Sequence, residues 1–129
     1  MLELAAQYER GEPVRIREIA SKHGVPSRFL VQILLQLKGA GLVGSTRGAA
    51  GGYQLAQAPE QITLADVMSV IDGARDRVTS NAELETPTTR ALIDAWQEVA
   101  DTQQRMLQNL NLAELLERVR GQTENMYYI

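Results

Sequence analysis

The chain has 129 residues, is 44% hydrophobic and 22% charged, and carries a net charge of −3. That is enough apolar material for one compact unit with an extension, and no apolar run approaches the roughly 20 residues of a membrane-spanning helix. With no cysteine anywhere in the chain, disulfides, thiol catalysis, cysteine zinc sites and cysteine-held iron–sulfur clusters are excluded.

The negative total hides an uneven distribution. Residues 1–57 hold seven Lys/Arg and four Glu, a balance of +3, whereas residues 58–129 hold six Arg and twelve acids, a balance of −6. The first half is suited to facing phosphates and the second is repelled by them. A surplus of three charges is by itself close to ordinary surface scatter. Met1 to Leu4 carry neither the basic lead nor the long apolar stretch of a secretory signal, so the cytoplasm is the expected compartment.

In chain order, Leu2, Ala5 and Tyr8 have helical spacing and predict a helix over 2–9, broken by Gly11-Glu12-Pro13. Ile16, Ile19 and Ala20 mark a short helix that stops near Gly24. Pro26 and Ser27 open the next, Pro as a first-turn residue and Ser as a cap, and it runs to about Lys38 before Gly39 and Gly41. Leu42 to Thr46 and Tyr53 to Ala56 predict the two strands of a hairpin around the Gly-rich turn 47–52. Thr63, with Asp66 three residues on, predicts a capped helix to Asp72, ended by Gly73. Residues 74–87 lack periodicity and read as a loop. Thr86-Pro87 launches a long helix over 88–110. Asn111 and Glu114 then cap a short last helix bearing Leu112, Leu115, Leu116 and Val119, ended by Gly121 and followed by the tail Met126-Tyr127-Tyr128-Ile129.

The resulting fold class is mainly α with a small β-hairpin: a winged helix-turn-helix over 1–72, a loop over 73–87, and a long helix with a C-terminal helix and tail over 88–129. Within the helix pair, Ala20 is small enough for close helix crossing. Gly24, four residues later, suits a left-handed turn. Ile16, Ile19, Val25, Leu30 and Ile33 are apolar where the pair must pack. A plain helical hairpin in another small bundle is the rival reading.

If the pair is a helix-turn-helix, helix 26–38 is the recognition helix. Arg28, Gln32 and Gln36 are four apart and form one stripe. Arg pairs bidentately with guanine and Gln with adenine, and recognition helices read bases from their N-terminal turns. The candidate DNA contacts are therefore Pro26, Ser27, Arg28 and Gln32, with Gln36 and Lys38 further along, towards solvent or backbone phosphate. Val31 lies beside the stripe, where it either touches a thymine methyl or packs internally. At the hairpin tip Arg47 and Gly48 suit a narrow, electronegative minor groove or a phosphate. A nucleotide-binding P-loop would need Gly-Lys-Ser/Thr at the end of that turn, and the chain has Gly-Gly-Tyr.

Leu92, Trp96, Val99, Met106 and Leu110 recur in steps of three and four along the long helix, with Gln103 the polar exception. A helix over 88–110 is about 33 Å long at 1.5 Å per residue, more than a winged domain of this size covers, so a second copy is the expected cover. His23, the lone histidine, reads as a surface or helix-end residue. Asp72, Asp76, Glu83 and Glu85 read as solvated loop charge rather than a metal site. No nucleophile–base constellation is present, so no enzyme is expected, and no cofactor or metal is assigned.

The chain resembles the Rrf2-type winged-helix regulators, the IscR, NsrR and CymR types. The resemblance runs through Gly11-Glu12-Pro13-Val14, Ile19-Ala20, Gly24-Val25, Phe29 to Leu34, Gly41-Leu42-Val43 and Ser45-Thr46-Arg47-Gly48. It continues through Gly51-Gly52-Tyr53-Gln54-Leu55-Ala56 and Pro59 to Leu64. The Arg-Gly-x-x-Gly-Gly-Tyr-x-Leu-Ala run is its most specific part, and the Met-Tyr-Tyr-Ile ending is similar to that of CymR types. The resemblance implies a homodimer whose long helices cross and whose recognition helices enter successive major grooves of a palindromic site. It also implies contacts at the positions of Ser27, Arg28, Gln32, Arg47 and Gly48. There are three departures. The loop that holds cluster cysteines in sensing members has none here. Val31 stands where a polar or acidic residue is common. The chain begins inside the first helix of the family.

Two functions follow as expectations. One is a homodimeric regulator, expected to repress, that binds double-stranded DNA and answers to a protein partner or small-molecule effector rather than a cysteine-held cluster. The other is a winged-helix interaction module whose main partner is a protein, suggested by the acidic second half and the Tyr-Tyr-Ile tail.

Overall fold

A computed structural model describes residues 1–73 and 78–127, the last of these by its backbone alone. Asp76, Tyr128 and Ile129 lie outside the described residues. The elements run α1 (Leu2–Ala6), α2 (Ile16–His23), α3 (Ser27–Gly39), β1 (Val43–Thr46) and β2 (Gly52–Leu55). A 3-10 turn at Pro59–Gln61 follows, then α4 (Leu64–Asp72), α5 (Pro87–Gln108) and α6 (Leu112–Tyr127). This is the expected mainly helical winged helix-turn-helix with one antiparallel hairpin.

Local chemistry accounts for most boundaries. Thr63 and Asp66 form a reciprocal capping box at the start of α4, with N–H···O bonds of 3.1 and 2.9 Å. Thr86 caps α5 through the Thr89 N–H, with Pro87 in the first turn. Asn111 accepts from the Glu114 N–H at 2.8 Å to start α6. At the turn between α2 and α3, Gly24 takes φ 64° and ψ 34°, and both its N–H and that of Val25 bond to the Ala20 carbonyl. A residue with a Cβ is strained in that conformation.

The hairpin pairs Val43 with Leu55 and Thr46 with Gly52. Val14 adds a third short pairing, exchanging two 2.8 Å backbone bonds with Tyr53. The core joins Leu4 of α1, Val14, Leu34 and Leu37 of α3, and Leu42, Val43 and Leu55 of the hairpin to Ile62, Val67 and Leu112. Leu112 is 1% exposed. Leu64 N–H bonds to the Leu110 carbonyl and Leu112 N–H to that of Ile62, so the start of α6 is tied into the winged unit.

Four details differ from expectation. α1 ends at Ala6 rather than residue 9, because residues 7–11 fold into turns that deliver Val14 to Tyr53. Pro26 occupies the N-cap of α3 and Ser27 its first turn, with no side-chain cap bond. The last helix is not short: it passes through Gly121 to Tyr127, so residues 122–127 are helix rather than tail. A helical Gly costs about 1 kcal/mol relative to Ala, which good helix formers on both sides outweigh. Leu110 lies beyond the end of α5, half-buried in the connection to α6, because the helix stops at the Asn109 cap.

The hairpin is held against residue 14 by the absence of a side chain at Gly52. A Cβ there would lie 2.5 Å from the Val14 carbonyl oxygen, on a backbone at φ +152°. Gly52→Ala is expected to lower stability by at least ~1 kcal/mol, a fall of about 3–6 °C in Tm. An unchanged thermal transition would show that the pairing of Val14 with the hairpin does not constrain it.

Candidate nucleic-acid interface

α3 has a covered side and an exposed side. Leu34 and Leu37 are buried in the core, Ile33 packs against it, and Leu30 is half-buried. Half a turn away Arg28, Gln32 and Gln36 are all exposed, as expected of one stripe. Pro26 and Ser27 are exposed at the N-terminal end of the same helix, and Arg47 and Gly48 at the hairpin tip. Gly48 has open space around a notional Cβ and φ +106°, whereas Gly51 has none: a Cβ would fall 2.2 Å from the Thr46 carbonyl oxygen. The tip is therefore a tight backbone turn that leaves the Arg47 side chain as its only charged group.

Lys38 is exposed, as expected, and is also tied to the hairpin. Its Nζ donates a 2.7 Å hydrogen bond to Ser45 Oγ on β1, linking the end of α3 to the hairpin. Val31 does not pack internally; it is 37% exposed. The structure also brings out two apolar residues that the sequence reading passed over as surface groups, Phe29 and Leu35, which are 56% and 54% exposed. A helical wheel centred on Leu30, Ile33, Leu34 and Leu37 would have placed both outside.

The electrostatics of this surface are more one-sided than the balance of the two halves suggested. From Ile19 to Pro59 there is no Asp or Glu, and the stretch carries Lys22, Arg28, Lys38 and Arg47. Lys22 is engaged by Glu3 at 2.9 Å, and Glu3 also accepts from His23 Nε2 at 2.9 Å, so α1 is fastened to the end of α2. Burial pushes the Glu3 carboxyl up, but the hydrogen bonds from Lys22 and His23 outweigh it and the net shift is downward. His23 thus stands at a helix end on the surface, the role expected for it.

α5 has a half-buried side and an exposed apolar stripe. Ile93, Gln97, Ala100 and Leu107 are half-buried, and the helix packs on α4. About a quarter-turn away, Leu92, Trp96, Val99 and Met106 fall within an arc of about 80°. These four are 59%, 56%, 56% and 63% exposed. No residue of this 22-residue helix is fully buried.

The profile of the Rrf2 family, described as iron-dependent transcriptional regulators, matches residues 1–118. The chain belongs to the Rrf2 family. It is 35% identical over its whole length to the HTH-type transcriptional regulator CymR of Bacillus subtilis, covering 91% of that protein. It is 45% identical to an rrf2-like HTH-type regulator of Rhodobacter capsulatus over 57% of this chain, a match that spans half of that protein. The solved structure of CymR, the global cysteine regulator of B. subtilis, superposes with a TM-score of 0.79 at 32% identity over 91% of this chain and 87% of that one. This Rrf2-family chain is accordingly a DNA-binding transcriptional regulator. The family is one of regulators rather than enzymes.

The family's iron dependence is not carried by a thiolate site here. Sensing members of the resemblance use cysteines in the segment before the long helix, and this chain has no cysteine at all. Among the described residues no group of three or more His, Asp or Glu side chains converges as a metal site. The donor set does not fit a cysteine-ligated cluster. No helix among the described residues is long and apolar enough to cross a membrane.

Proposed function

We propose that this Rrf2-family chain is a homodimeric repressor that reads a palindromic operator with α3 and clamps its flanks with the hairpin tip. The observation that carries the reading is the acid-free outer surface of α3 and the hairpin, with Arg28 and Gln32 outward in the first turns and Arg47 at the tip. Arg28 meets guanine O6 and N7, and Gln32 meets adenine N6 and N7. Pro26 and Ser27 seat the helix end against a phosphate, and Arg47 with Gly48 enters the minor groove or binds its phosphates.

Dimerisation is supported by surface area. The isolated chain exposes 9754 Å². A compact monomer of its mass exposes about 6,800 Å². The outer stripe of α5, where Leu92, Trp96, Val99 and Met106 are each more than half exposed, supplies the contact in this reading, with Leu110 assigned to its end. Two crossed α5 helices bring two copies of α3 to the same face of a duplex.

Selection of bound DNA from a random pool tests both halves of the reading. The expected product is a palindrome with half-sites about one helical turn apart. Failure to enrich any sequence at low salt would count against DNA reading, and enrichment of a lone half-site would count against the dimer.

A second reading has one observation behind it. A groove of about 430 Å³ between α1, the 3-10 turn and α6 is bordered by Glu9, Glu60, Glu114 and Glu117, against one cation, Arg120, which pairs with Glu117. Its charge repels DNA, which leaves it to a protein partner or an effector that tunes the regulator.

A further inference from the structure

The polar stripe of α3 is flanked on both sides by exposed apolar side chains. Phe29 lies on one flank of Arg28 and Gln32, and Val31 on the other, roughly 160° apart around the helix. Leu35 continues the Val31 flank one turn further on. Their exposures of 56%, 37% and 54% place none of them in the core, which takes Leu34 and Leu37 from the same helix. Single exposed apolar residues need no explanation, but three bordering one stripe on a 13-residue helix form a surface feature.

The apolar feature of a major-groove floor is the C5-methyl group of thymine, and Phe or aliphatic side chains are its complement. The adjacent chemistry agrees. Gln32 is suited to adenine, and every adenine so read is paired with a thymine whose methyl lies in the same groove. We propose that Phe29 and Val31 read thymine methyl groups on either side of the bases met by Arg28 and Gln32. The half-site is then specified by methyls as well as by hydrogen bonds. This rests on the reading that α3 enters the major groove.

Replacing thymine by deoxyuridine in the selected operator removes the methyl and leaves every hydrogen-bonding group in place. One thymine at a time is replaced in one half-site, and binding is measured for the full chain and for Phe29→Ala and Val31→Ala. Both positions are exposed and Ala favours helix, so circular dichroism is expected to show intact folds. For the unaltered chain, two positions are expected to lose about fourfold in affinity, the equivalent of ~0.8 kcal/mol for one buried methyl. Phe29→Ala is expected to be indifferent to the substitution at one of them and Val31→Ala at the other, with the salt dependence of binding unchanged in both. Equal binding of thymine and uracil operators at every position overturns the proposal, and so does a full methyl response in both variants. If no operator is selected at all, the proposal falls together with the reading beneath it, which separates the two failures.

Discussion

Trp96→Asp is expected to convert the protein to a folded monomer that no longer holds a palindromic operator. Trp96 is 56% exposed and takes no part in the core, so its loss leaves the winged unit intact. In a symmetric pair each substitution acts twice. A buried aromatic anchor replaced by a charge costs roughly 2–4 kcal/mol on each side. At the low end the two copies together weaken self-association by about a thousandfold. Sedimentation or light scattering reads the mass, and circular dichroism checks that helix content is kept. A dimer of unchanged stability would move the interface away from the outer stripe of α5. The same variant tests DNA binding indirectly: a monomer contacts one half-site and loses the gain that comes from linking two.

Arg28→Ala is expected to cost on the order of 1–3 kcal/mol per half-site, about 5- to 150-fold in affinity, and to relax the preference for guanine at one position. Arg28 is exposed in the first turn of α3, in the same stripe as Gln32, and nothing in the fold depends on it. Arg47→Ala provides the contrast. A side chain that neutralises phosphate charge weakens binding to all sequences alike, and its loss lowers the salt slope by about one for each protomer. Titrations on the selected operator and on a scrambled duplex, each at several salt concentrations, separate the two patterns. A uniform loss for Arg28→Ala would reassign it from base to backbone.

The lack of thiolate ligands shapes how such a regulator is controlled. Without cysteines, a signal cannot act through gain or loss of a cysteine-held cluster, and in the proposed dimer it would act by binding one conformation more tightly than another. The acidic groove between α1 and α6 is built around the start of α6, whose Leu112 belongs to the core of the winged unit. An occupant of that groove would bear on the same packing that positions α1 and, through Glu3, the end of α2.

Much of the fold that carries the candidate interface was legible in the chain. Gly24 marks the helix-turn-helix turn because a left-handed backbone admits Gly most easily. Thr63, Thr86 and Asn111 mark helix starts because their side chains bond to N–H groups three residues on. Glycines 51 and 52 mark the hairpin because a Cβ at either would strike a carbonyl. These are local effects, settled within a few residues, and the absence of cysteine is a matter of composition. Other features were decided only by packing. Periodicity marks a polar stripe on α3 and an apolar one on α5, but which of the remaining side chains the fold covers depends on distant residues. Phe29 and Leu35 turned outward because Leu34 and Leu37 filled the core, and Lys38 turned to Ser45 because the hairpin passes beside the end of α3. Gly121 broke nothing because α6 carries on through it, and Leu112 was drawn into the core by its bond to Ile62. Sequence alone therefore determined the order of the helices and strands, the caps at Thr63, Thr86 and Asn111, and the absence of a thiolate site. The tertiary structure decided which side chains remain at the surface, because burial is a property of contacts between segments far apart in the chain.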